Sequence, residues 1–110
     1  MVKIGNIEKP TFGTFRNDFL IVTQQITGMQ VSPEDGWTEI GNSEIRERLI
    51  KDFIRLMEER YGFEIVLKSR LNERQGSVEG VVGELYHIFS TMFLVETINS
   101  KIRSGERVEV

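Results

Sequence analysis

The sequence predicts an α+β domain: a mostly antiparallel four-stranded sheet, in chain order β-β-β-α-β-α, with two helices packed on one face and the longer helix last. Three observations carry that expectation. Up to Gly41, short β-prone runs are punctuated by Gly, Pro, Asn and Asp. Beyond Gly41, two long stretches place apolar residues at helical spacing. Between them lies one short β-prone run, Phe63 to Lys68.

Thr11 to Phe15 and Phe19 to Ile26 read as strands joined at Arg16-Asn17-Asp18, because Asn and Asp tolerate turn conformations. In the second run Phe19, Ile21 and Thr23 would point one way and Leu20, Val22 and Gln24 the other. Its first half is apolar on both faces, as in a central strand. Gly28 marks a bulge or bend. Ser32-Pro33-Glu34-Asp35-Gly36 has the composition of a turn, and Trp37 to Ile40 reads as a third strand.

The first helix is expected from Glu44 to Arg60, capped by Asn42 or Ser43 and stopped at Tyr61-Gly62. Ile45, Leu49, Ile50, Phe53, Ile54, Leu56 and Met57 share one side. Opposite them, Glu44 and Arg48, and Glu47 and Lys51, are four apart in the favourable order. Mixed signs at this spacing describe a solvated, self-neutralised face rather than a binding face. Phe63 to Lys68 is the fourth strand, and Ser77 to Arg103 the second helix, ended by Gly105. The tail from Glu106 to Val110 either adds a short strand or stays loose.

With 110 residues the chain suits one core, so residues 1–110 are expected to form a single domain. Hydrophobic residues at 39% and charged residues at 28% argue against global disorder. A net charge of −3 gives no overall pull toward nucleic acid or anionic lipid, so neither partner is favoured. The absence of cysteine removes disulfides, thiolate zinc sites and cysteine nucleophiles together. The first ten residues, MVKIGNIEKP, lack a signal peptide's apolar segment. The longest continuous apolar runs, such as Phe19 to Val22 and Met92 to Val95, are too short to span a bilayer. These points lead to the expectation of a cytoplasmic protein.

His87 is the only histidine, and Glu84-Leu85-Tyr86-His87 has the Glu-x-x-His spacing of carboxylate-bridged metal helices. Such a centre needs further inward-facing carboxylates, and those of the first helix fall on its polar side, so no metal site is expected. No G-x-S-x-G sequence exists, and no catalytic residue is assigned. Phe12 and Phe15 stand near Lys9 and Arg16, the nearest approach to an aromatic and basic nucleic-acid platform. Core packing is the commoner use of such rings.

Two features remain. One is the basic loop from Lys68 to Gly76. Lys68, Arg70 and Arg74 precede Gly76-Ser77, which opens a helix, and free N–H groups there would hold a phosphate or carboxylate. Gly76, Gly80 and Gly83 would allow close approach, although the segment matches neither of the usual phosphate-loop patterns and also has the composition of an ordinary surface loop. The other feature is the second helix itself. Val78, Val81, Val82, Leu85, Ile88, Phe89, Met92 and Phe93 form one broad apolar stripe. Leu94, Ile98 and Ile102 repeat every four residues on a different side, which Gly80, Glu84, His87 and Thr91 make polar earlier in the helix. That second apolar side predicts a dimer interface at Leu94, Ile98 and Ile102, unless the domain covers both sides itself.

Two function classes follow. The favoured one is a non-enzymatic interaction or regulatory module acting as a homodimer, with or without a further protein partner. The alternative is a phosphate-ligand or nucleic-acid-binding domain, or an enzyme, using the basic loop. Neither class requires a cofactor.

Overall fold

Phe12, Phe15, Phe19, Val22 and Ile26 recur at steps of three and four, the period of a helix. In the computed structural model, which describes residues 3–4, 7–67 and 70–103, this segment is helix α1 (Phe12–Thr27). The Thr11 side chain accepts a hydrogen bond from the Thr14 N–H, and Gly28, with φ of 71°, closes the far end through its own N–H to the Gln24 carbonyl. Phe15, Phe19, Val22 and Thr23 are its buried side.

The expected hairpin over Thr11 to Ile26 is therefore overturned. Aromatic and β-branched residues favour strands through the surfaces they pack on, and here the surface is two other helices. Arg16-Asn17-Asp18 is no turn but part of the outer side of α1. Arg16 pairs with Glu79 at 2.9 Å, and Asp18 with Arg60 at 2.8 Å.

Helix α2 (Ser43–Tyr61) begins at Asn42, whose side chain accepts from the Ile45 N–H at 2.9 Å, and ends at Gly62 with φ of 77°. Helix α3 spans Val78–Arg103. Trp37–Glu39, expected in the third strand, is a 3-10 turn, as is Leu71–Glu73. Phe63 to Leu67, expected in the fourth strand, has no strand pairing, and Lys68 lies outside the described residues. The only ladder among the described residues joins β1 (Lys3–Ile4) to β2 (Ile7–Glu8), two residues each, antiparallel. Gly36 and Ser77 add one isolated bridge. The α+β class with a four-stranded sheet is thus replaced by a three-helix architecture.

The core is built on aromatic rings. Phe15 and Phe19 of α1 both meet Phe53 of α2 edge to face, at 5.0 and 5.1 Å between centroids. Tyr61 and Phe63 bring the end of α2 onto Phe89 and Phe93 of α3. Each such pair adds roughly 0.5–1.5 kcal/mol beyond its area burial. Trp37 is fully buried, and its indole N–H donates to the Leu71 carbonyl at 2.6 Å. Among the described residues one charged side chain enters this interior. The Arg46 guanidinium donates through Nε to the Asn72 carbonyl at 2.7 Å and through Nη1 to the Thr38 and Ile40 carbonyls at 3.0 and 3.2 Å. It thereby holds both 3-10 turns against α2. The molecule is elongated, 48 × 23 × 21 Å.

Candidate functional site

A helix start is an anion site only while its first N–H groups lack acceptors. At the start of α3 they have them. The Val78 N–H donates to the Asp35 carbonyl at 2.8 Å, and the Glu79 N–H to the Pro33 carbonyl at 2.9 Å. The Gly80 N–H donates to Ser77 Oγ at 3.1 Å. The Pro33–Gly36 turn is seated on this helix end, and the Trp37 N–H to Gly76 carbonyl bond of 2.9 Å fixes it there.

Arg70 and Arg74 of the preceding loop do not converge. Arg74 Nε pairs with Glu84 Oε1 at 2.5 Å, and Nη1 donates to the Gln75 carbonyl at 2.9 Å. Its guanidinium lies over Gly80, so close that a Cβ there would come within 2.8 Å of Nη1. Gly76 adopts φ of 111°, a conformation that favours glycine. Arg70 is exposed, has no ion pair among the described residues, and borders a shallow cavity of about 160 Å³ with Leu67, Leu71 and the Glu47–Lys51 pair. Lys68 lies outside the described residues.

His87 is exposed on α3, one turn beyond Glu84, which Arg74 already engages. No group of three His, Asp or Glu side chains suited to a metal ion occurs among the described residues. An open cleft of about 280 Å³ lies between α1 and α2, with Val22, Ile26 and Leu56 as its apolar wall and Asp52, Arg55 and Glu59 around it. Its charges are mixed.

The late part of α3 is different. Leu94, Val95, Ile98 and Ile102 are 52%, 46%, 37% and 62% exposed, while Phe89, Phe93 and Thr97 of the same helix are buried. At 100° per residue the exposed four share a sector opposite that buried side. Three of them are the residues expected from the sequence. Val95 is an addition, and its signal was the run Thr91, Val95, Ile98, Ile102 at steps of four, three and four. The stretch Val78–Ile102 is also long and apolar enough to cross a membrane by length and composition. A core helix of a soluble protein satisfies the same measure, and α3 has one buried side among the aromatic rings of α1 and α2.

Comparison with known proteins gives no match: no family model, curated protein or solved structure is significantly similar to this chain.

Proposed function

We propose that the chain is a non-catalytic helical module that associates with a second copy of itself through the outer side of the late part of α3. The observation that carries this reading is the exposure of Leu94, Val95, Ile98 and Ile102 as one contiguous aliphatic stripe. Singly exposed apolar residues are ordinary, whereas a contiguous patch marks a contact surface. These side chains are already about half buried, so covering each is worth roughly half of the 1.5–3 kcal/mol of full burial, and a twofold interface uses each stripe residue twice. That gain is of the size needed to offset the entropy of association and form a moderate dimer. The loop alternative has less support, because the start of α3 and Arg74 already have partners within the chain.

The test is Ile98→Glu. The native protein should sediment as a dimer, and the variant as a monomer with unchanged helical circular dichroism, since a carboxylate in an apolar seam is costly but harmless in water. A native protein that stays monomeric at high concentration overturns the proposal. So does a variant that unfolds, which would assign Ile98 to the chain's own core. Flotation of a monomeric native protein with phosphatidylcholine vesicles would assign the stripe to lipid instead.

A further inference from the structure

We propose that the Asp35–Gly36 bond is a site of spontaneous covalent modification, isoaspartate formation, and that the seat of the Pro33–Gly36 turn on the start of α3 restrains it. This is the one place in the chain where an Asp or Asn precedes Gly. Glycine carries no Cβ to hinder the approach of its amide nitrogen to the carboxyl of the residue before it. Asp35 is exposed. The Gly36 N–H takes no part in the two bonds that flank it, which use the Asp35 carbonyl and the Trp37 N–H.

The reaction balances with water alone. The Gly36 nitrogen attacks Cγ of the protonated Asp35 carboxyl, its proton and the carboxyl hydroxyl leave as water, and a succinimide ring closes. Water then adds back to the ring. Opening at the former main-chain carbonyl leaves the chain running through Cγ, a methylene longer, with a free α-carboxylate in place of the peptide carbonyl. Mass and charge return to their starting values.

The ring needs a ψ at Asp35 outside the commonly allowed backbone regions, so closing it requires rotation about the Cα–C bond. That rotation swings the Asp35 carbonyl and the peptide after it. Three bonds oppose the movement. The Val78 N–H donates to the Asp35 carbonyl at 2.8 Å, the Trp37 N–H to the Gly76 carbonyl at 2.9 Å, and the Ser32 N–H to Asp35 Oδ2 at 2.9 Å. Just beyond, the Arg46 guanidinium fixes the Thr38 and Ile40 carbonyls. The reaction therefore proceeds when the turn lifts, and its rate follows that local opening. The product does not seat again. Val78 has lost its peptide acceptor, and the link from residue 35 to Trp37 is too long for the two flanking bonds. Modification thus releases the turn, frees the first N–H groups of α3 and loosens Trp37, which is fully buried in the unmodified chain.

The test ages the whole protein in warm neutral buffer, with and without guanidinium chloride. The readout is isoaspartate at residue 35 in tryptic peptides, where it elutes apart from aspartate at the same mass. Native protein should accumulate it at least about tenfold more slowly than unfolded protein. Val78→Pro removes the donor to the Asp35 carbonyl at the first helical position, where proline is tolerated. While still helical by circular dichroism, this variant should age several-fold faster than the native chain. Gly36→Ala, compatible with the φ of −66° at this position, should yield much less product in either state. Red-shifted emission from Trp37, the only tryptophan, should grow in step with isoaspartate. Equal rates in native and unfolded protein, or in native and folded Val78→Pro protein, would overturn the restraint by α3. Absence of isoaspartate even in the unfolded chain would overturn the site itself. If Val78→Pro does not fold, the native and unfolded samples decide alone.

Discussion

Arg46 is the residue on which the interior depends in the least expected way. A buried charge ordinarily requires a carboxylate partner. Arg46 has none among the described residues and is surrounded instead by the carbonyls of Thr38, Ile40 and Asn72. Its planar fork reaches in two directions at once, binding both 3-10 turns to one turn of α2, which a lysine ammonium cannot do. Replacing Arg46 with Met keeps the apolar stem and leaves those carbonyls without a donor. Urea denaturation should show a loss of about 2–4 kcal/mol. Arg46→Lys should recover only a small part of it. Unchanged stability of Arg46→Met would show that water replaces the guanidinium freely. The sequence held a signal for this residue, because Arg46 precedes Leu49, Ile50 and Phe53 by three, four and seven positions and so lies on the apolar side of its helix.

Among the elements, the two later helices are legible because their periodicity is long, because Asn42 and Gly62 cap α2, and because Ser77 Oγ accepts from the Gly80 N–H at the start of α3. The expected 44–60 became Ser43–Tyr61, and 77–103 became Val78–Arg103. Helix α1 differs from its sequence expectation, although Phe12, Phe15, Phe19, Val22 and Ile26 show helical spacing, because its aromatic and β-branched content and Asn17-Asp18 imitate a hairpin. Contacts with Phe53 and Phe89 decide that element, and those partners are remote in sequence. The basic loop shows the same limit. Its residues announce a helix start, but nothing local reveals that Pro33 and Asp35 supply the acceptors. The glycines of α3 test the resulting picture. Gly83 sits within the helix with open space where a Cβ would go, so Gly83→Ala should raise stability by about 0.5–1 kcal/mol. Gly80→Ala should gain less, because the new methyl displaces the Arg74 guanidinium from its place beside Glu84. Equal gains at both sites in thermal melts would contradict the seating of Arg74 over Gly80.

At the scale of the whole molecule, stability is distributed unevenly along α3. A helix of 26 residues is about 39 Å long, most of the 48 Å length of the molecule. Val81, Val82, Leu85, Phe89 and Phe93 anchor its earlier part in the core, whereas Lys101 and Ile102 in its last turn are exposed. Local opening costs least where few apolar contacts must break. Amides near the end of α3 should therefore exchange hydrogen at least tenfold faster than those from Val81 to Phe93 in dilute protein. Fraying alone would produce that gradient at every concentration. Self-association through Leu94, Val95, Ile98 and Ile102 adds a second requirement, because a partner bound only to the ordered helix stabilises it by mass action. Raising the protein concentration should slow exchange at positions 94–102, whereas amides of α1 and of the Phe53 region of α2 that exchange by local opening should be unchanged. Exchange at 94–102 that does not respond to concentration would mean that no second copy covers the stripe. Slowing in α1 and α2 with none at 94–102 would mean that the late part of α3 is not where the copies meet.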